Sequence, residues 1–112
     1  MDIELRDAII QVIAIIPSKY VNIIPNPILQ DICSRLVRLG DAIRDEQFLT
    51  RLVISNMKYK SELTTAFYEI AEFWKIALSM KEAEQIVITS RSIKTLQTFL
   101  DRSERTSWCN VV

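Results

Sequence analysis

The sequence contains no histidine and only one glycine, and each of these features excludes particular classes of catalytic or binding site. Histidine is the commonest general base and metal ligand, so Ser-His-Asp and Cys-His mechanisms are excluded. Loops that cradle nucleotide phosphates need several glycines, and average usage would supply about seven or eight in a chain of this length. With Gly40 alone, neither of the common glycine-rich nucleotide-binding patterns can be formed.

Turn-forming residues are scarce as well. All three prolines precede residue 28, and no glycine follows Gly40. Sheet proteins need many turns, which glycine and proline supply, so the sequence predicts long helices. Its 112 residues are 49% apolar, which is enough for one core. We expect an all-α fold: a compact antiparallel, oligomeric bundle of four to five helices over residues 1–102, with a flexible tail at 103–112.

Cysteine and net charge are also limited. Cys33 and Cys109 are too few for a disulfide framework and lack metal-site spacing, so no cofactor or metal is expected. Fourteen basic residues balance fourteen acidic ones, which leaves no overall attraction to phosphate or anionic lipid. Acidic residues occupy the place of a basic leader region, and the longest apolar run is about half a membrane span. We expect a cytoplasmic protein without membrane association.

Apolar residues recur at helical spacing along most of the chain. The first segment, residues 2–16, is apolar on nearly every side in its second half, which in a small protein indicates cover by a second subunit. Its isoleucines make a short strand the competing interpretation. Asn26-Pro27 is a typical helix start, and Gly40 suits the left-handed position after that helix ends.

Residues 61–80 hold four of the nine aromatic residues and are predicted to form the central helix. We expect Ser61 to begin this helix after a short break, and one continuous helix from 45 to 79 is the alternative. Ser79 and Glu82 match a capping box, which predicts the start of the last helix.

Two acidic pairs have the spacing for one helix face. They are Glu69 with Glu72 and Asp101 with Glu104, and facing pairs of this kind hold Mg²⁺ in helical nucleotide pyrophosphatases. The second pair lies at a helix end that should fray, so we expect both pairs to face water. No catalytic residue is predicted, and we expect a protein that is not an enzyme.

A basic and aromatic cluster is the stronger candidate. Lys58-Tyr59-Lys60 places a ring between two cations, which suits phosphate contact with base stacking. Four basic residues line the last helix, and such a stripe could follow a nucleic-acid backbone: Arg91, Lys94, Arg102 and Arg105. An ordinary helix surface is the alternative, because acidic residues are interspersed. Further basic residues are expected on the outer faces of the second and third helices: Arg35, Arg38, Arg44 and Arg51.

Some apolar residues exceed what one stripe per helix can bury. They lie on the first helix and on a second face of the central helix, and we predict a partner interface there. The predicted interface consists of Ile9, Ile13, Ile16, Phe73, Ile76 and Met80.

The stretch from Leu63 to Leu100 resembles a known pattern. An aromatic and aliphatic helix is followed by ALSMKEAEQ at residues 77–85. Four residues then follow at three-residue steps: Ser90, Ile93, Leu96 and Phe99. This resembles the helical hairpin that ends the small four-helix bundle protein family. That family includes the intervening-sequence protein of 23S ribosomal RNA genes and the accessory protein of reverse transcriptase in diversity-generating retroelements. The resemblance implies an oligomeric bundle that binds nucleic acid and an enzyme partner.

Two hypotheses about function follow. The leading one is a non-enzymatic helical protein that acts through self-association or by binding a protein partner. The alternative is a nucleic-acid-binding accessory subunit of a larger nucleoprotein or reverse-transcriptase complex. They differ in the surface they need, since the first requires exposed apolar area and the second requires a basic groove.

Overall fold

A computed structural model describes residues 3–16, 18–24, 26–79 and 88–105, and all regular structure in these ranges is helical. The helical interpretation of the first segment is therefore confirmed over the competing strand. Two short 3₁₀ helices join the α-helices, at Ser18–Ile23 and Met57–Tyr59. The described α-helices are α1 (Ile3–Ile15), α2 (Pro27–Ala42), α3 (Glu46–Ser55), α4 (Lys60–Ser79) and α5 (Ser90–Ser103).

The core is built around α4, as its aromatic content predicts. Both α1 and α5 pack on α4, while α2 packs on α1 and α5. Phe67 and Trp74 of α4 are fully buried, and the Phe67 ring meets Phe99 of α5 edge-on with 5.5 Å between centroids. The radius of gyration is 13.7 Å, close to the ~13 Å expected of a compact domain of this length. None of the described helices is long and apolar enough to cross a bilayer.

Side-chain caps determine where several helices begin. Asn26 accepts hydrogen bonds from the backbone N–H groups of Ile28 (2.9 Å) and Leu29 (3.2 Å), with Pro27 first in the helix, so the predicted start of α2 is confirmed. Asp45 caps α3 in the same way, although no cap is predicted there from the sequence. The break before the central helix is confirmed and the continuous alternative is wrong, but α4 begins at Lys60 and Ser61 lies inside it.

The last helix begins later than the capping box predicts. Ser79 is the final residue of α4, while α5 begins at Ser90 with Thr89 as its N-cap. The Thr89 hydroxyl accepts a hydrogen bond from the Ser92 backbone N–H at 3.2 Å. Residues 80–87, which include Glu82 of the predicted box, lie outside the described residues.

Gly40 has a different role from the predicted helix end. It lies inside α2, and no described residue has a positive φ. A Cβ atom at this position would lie 2.4 Å from Cγ2 of Ile13. The absence of a side chain at Gly40 therefore allows α2 to approach α1 closely.

The helix α5 ends at Ser103, the residue at which the sequence predicts that a flexible tail begins. Ser103 is buried, and its hydroxyl donates to the Phe99 carbonyl oxygen at 2.8 Å. The chain continues in a helical turn through Arg105. The rest of the predicted tail lies outside the described residues.

Candidate nucleic-acid interface

A surface groove runs between α4 and α5. It consists of two adjoining pockets of about 420 and 410 Å³, and both are lined by Glu62 and Thr95. We call this surface the α4–α5 groove. Its cationic end is formed by Tyr59, Lys94 and Arg102, and its hydroxyl end is formed by Glu69, Thr89, Arg91 and Ser92.

The cationic end depends on the 3₁₀ turn between α3 and α4. Buried Asn56 donates a hydrogen bond from Nδ2 to the Leu52 carbonyl oxygen at 2.8 Å, which holds the start of this turn. Tyr59 then packs partly against the core. Arg102 Cζ lies 4.4 Å from the centroid of the Tyr59 ring, and Lys58 Nζ lies 5.8 Å from it. Both distances are within the range of cation–π attraction.

The hydroxyl end depends on the start of α5. The Thr89 and Ser92 hydroxyls both donate to the same carboxylate oxygen, Oε2 of Glu69, the Thr89 contact being 3.3 Å. The two hydroxyls are also 2.9 Å apart. Within the described residues, the second oxygen of Glu69 accepts no hydrogen bond. The carboxylate is thus held on one side and available to a ligand on the other.

Two separate stretches of predicted nucleic-acid contacts meet in the groove. Tyr59 and Lys94 line the same pocket, and Arg91 lines the adjoining one. Lys58 is exposed beside the Tyr59 ring. Lys60 is directed elsewhere, because its Nζ lies 3.2 Å from Oε2 of Glu4 and links α4 to α1.

Arg102 completes the cationic end, and it belongs to the basic stripe predicted along the last helix. The signal for it was weak: it lies eight positions after Lys94, two turns along the same helix face. Only the position of the turn carrying Tyr59 makes this residue relevant, and that position follows from the packing of three helices.

Arg35 corrects the expectation of a basic outer face on α2. Its side chain is only 12% exposed and joins α2 to α5 through two hydrogen bonds of 2.9 Å to Glu104 and one of 2.6 Å to Asp101. A weaker contact of 3.7 Å reaches Asp31. The hydrogen bonds that Arg35 donates to Glu104 raise the pKa of Arg35 above its usual range, against the opposing effect of burial.

The predicted acidic pairs therefore differ in surroundings. Asp101 and Glu104 contact Arg35, while Glu69 is half-buried in its hydroxyl contacts and Glu72 is exposed. Asp101 and Glu72 are exposed, as expected, whereas Glu69 and Glu104 are only partly exposed and accept hydrogen bonds from other side chains. In the part of the chain that the structure describes, no three side chains of the metal-ligating types lie close enough to share an ion.

Three of the six apolar residues predicted to form a partner interface are buried in the protein's own core. Ile9, Ile16 and Phe73 are buried in the core, where α1 is covered by α2, α3 and α4. Ile13 and Ile76 are partly exposed, and the predicted contact at residue 80 lies outside the described residues. Exposed apolar residues lie elsewhere on the surface: Ile3, Ile10, Ile23, Ile28, Ile54, Met57 and Tyr68.

Cys33 of α2 is a core residue. It is fully buried, and this burial raises the pKa of its thiol to about 12. A thiol reacts as its thiolate, so Cys33 is not suited to nucleophilic catalysis.

No protein-family profile, no curated protein and no solved structure matches this chain. The resemblance of residues 63–100 to the four-helix bundle protein family stays a prediction.

Proposed function

We propose that this protein is a non-enzymatic binding protein that holds single-stranded nucleic acid in the α4–α5 groove. The observation that carries the proposal is the meeting of Tyr59, Lys94 and Arg102 at one end of an open groove. These residues combine a ring with cations, which is the chemistry that single-strand binders use.

Each part of the groove has a role in this proposal. Lys94 and Arg91 contact successive phosphates, since each lines one half of the groove. An unpaired base stacks at the cationic end, where the Tyr59 ring and the Arg102 guanidinium both offer planar surfaces. Such stacking contributes ~1–3 kcal/mol per base. Double-stranded nucleic acid has no unstacked base to offer, so a single strand is favoured.

Glu62 opposes this binding, because its carboxylate lines both pockets and repels phosphate. Binding is therefore expected to be modest in affinity and to depend on the local cations instead of the net charge, which is zero. Glu62→Gln should strengthen binding, since it removes the repulsion and keeps the side-chain volume.

Fluorescence anisotropy with a labelled single strand of ~12 nucleotides at low salt tests the proposal. Lys94→Glu and Tyr59→Leu should each weaken binding about tenfold or more, through lost phosphate attraction and lost stacking. Lys75→Glu is the matched charge control, because Lys75 is an exposed residue of α4 that does not line the groove. Tyr59→Phe is the matched ring control and should bind like the wild type.

Two results would contradict the proposal. One is the absence of any anisotropy change with wild-type protein at low salt. The other is an equal effect of Lys75→Glu and Lys94→Glu, which would mean that overall charge and not the groove governs the signal. Circular dichroism of each variant checks that the helical fold is retained.

A second candidate function is self-association through the outer face of α1. Ile3 and Ile10 are 62% and 40% exposed and lie seven residues apart, which places them on the same helix face. Arg6 and Asp7 beside them have opposite charges, so two antiparallel copies of α1 could exchange ion pairs across a two-fold axis.

Light scattering coupled to size exclusion tests this second candidate. A dimer should form and Ile10→Glu should return it to monomer, since a buried unpaired charge opposes assembly. A monomer at all accessible concentrations would contradict it.

A further inference from the structure

The hydroxyl end of the α4–α5 groove has a feature that phosphate binding does not explain. The carboxylate of Glu69 lines the same pocket as Arg91, and this pocket adjoins the cationic end, where a nucleic-acid strand would continue. The Thr89 and Ser92 hydroxyls fix its carboxylate through Oε2. The remaining oxygen, Oε1, accepts no hydrogen bond from any described residue.

An ionised carboxylate oxygen can only accept hydrogen bonds, so a ligand group at Oε1 must be a donor. Phosphate oxygens are excluded by charge. Thr89 and Ser92 do not compete, because their hydroxyl protons are directed to Oε2. In a single strand, the donor that recurs in every nucleotide, whatever the base, is the ribose 2′-hydroxyl, which DNA lacks.

We propose that Glu69 accepts a hydrogen bond from a ribose 2′-hydroxyl, so that the groove prefers RNA to DNA. This inference rests on the proposed binding of a single strand in the same groove. Arg91 supports it, because a cation on the same pocket wall can hold the adjoining phosphate while the sugar faces Glu69. DNA would lose this hydrogen bond to a charged acceptor, so the groove should bind it less tightly than RNA.

Three oligonucleotides of equal length isolate the 2′ position: oligouridylate, oligodeoxyuridylate and 2′-O-methyl oligouridylate. Uracil is the base in all three, so base contacts are held constant. Fluorescence anisotropy should show about tenfold tighter binding of oligouridylate than of the other two, the range expected for a hydrogen bond to a charged group. The methylated strand keeps the RNA oxygen but cannot donate, so it tests donation without any protein variant.

Glu69→Ala should remove the preference by weakening RNA binding alone, while deoxyuridylate binding stays equal or improves as a negative charge is lost. Glu72→Ala is the matched control, because Glu72 lies three residues along α4, is exposed and does not line the groove. It should keep the full preference. Glu62→Gln tests the other carboxylate that lines the groove, and this variant should also keep the preference for RNA.

The outcomes distinguish this inference from the function beneath it. Binding of none of the three strands overturns the proposed function and this inference with it. Equal binding of all three by wild-type protein overturns the inference and leaves the function standing. A preference that survives Glu69→Ala, or one that Glu62→Gln abolishes, also overturns it, because another group would then read the sugar.

Discussion

Gly40 of α2 lies close to Ile13 of α1, where the two helices pack in the core. Glycine inside a helix lowers stability by about 1 kcal/mol relative to alanine, so this position is unfavourable for α2 considered alone. The close approach of α1 compensates, because a Cβ atom on residue 40 would lie 2.4 Å from Cγ2 of Ile13. The methyl group cannot move aside easily, since a β-branched side chain in a helix has one strongly preferred rotamer.

Gly40→Ala should therefore lower the free energy of unfolding by about 1 kcal/mol. This is the net of two effects, since the cost of overpacking against Ile13 exceeds the gain in helix propensity. Urea denaturation measures this change. The control is the same substitution in an Ile13→Ala background, where the obstructing methyl is absent. There the sign should reverse and Gly40→Ala should stabilise. Destabilisation of equal size in both backgrounds would show that the contact with Ile13 is not the cause.

Cys33 gives a pH-dependent prediction. Burial raises the pKa of its thiol from 9.0 to about 12. The unfolded chain ionises first as pH rises, so the stability associated with this group is fully present below pH 9 and is lost between pH 9 and 12. The test compares two proteins that both carry Cys109→Ser, one with Cys33 and one with Cys33→Ala. Between pH 8 and 10, the free energy of unfolding measured by urea denaturation should fall by about 1 kcal/mol more in the protein that keeps Cys33. Parallel losses in the two proteins would contradict the assignment.

At the scale of elements, the ends of helices were predictable where one side chain and its own neighbours decide them. Asn26 with Pro27 is such a case, because the cap acts on backbone groups two and three residues away. The start of α5 was missed because two cap signals compete, at Ser79 and at Thr89, and local sequence does not rank them. The end of α2 was missed because Gly40 serves packing against α1, which its own neighbours in sequence do not indicate.

The link between α2 and α5 rests on Arg35, which contacts both Asp101 and Glu104. Its side chain is 12% exposed while the two carboxylates are 57% and 32% exposed, so solvent screening reduces the interaction below that of a fully buried pair. Arg35→Met should destabilise the protein by about 1–2 kcal/mol, partly by leaving Glu104 without its partner.

A double-mutant cycle with Glu104→Gln measures this link. The two substitutions together should destabilise less than the sum of their separate effects, by about 1 kcal/mol. Arg35→Lys should not restore the wild-type value, because lysine cannot bridge both carboxylates with a planar fork of donors. Strict additivity of Arg35→Met and Glu104→Gln would contradict the role given to this ion pair.

At the scale of the whole molecule, the sequence predicts the fold class well and the candidate site only in part. Scarce glycine and proline, with apolar residues at helical spacing, were sufficient for an all-helical fold. Tyr59 and Lys94 could be recognised from residue type, but their meeting could not, since it depends on how α4 packs against α5. Arg35 could not be separated from the exposed arginines by sequence, because its acidic partners lie on another helix.

The net charge is zero, so the salt dependence of single-strand binding should reflect only the cations at the groove. If Lys58, which lies beside the groove at Tyr59, contacts a phosphate as well as Arg91 and Lys94, single-strand binding releases counterions from about three phosphates. The slope of log affinity against log salt should then be about −2. Lys94→Glu should make this slope less steep by about one unit, whereas Lys75→Glu, off the groove, should leave it unchanged. Anisotropy titrations at several salt concentrations measure both. A much steeper wild-type slope would require more cations than the groove contains and would place the binding surface elsewhere, while a slope near zero would mean that phosphates are not contacted.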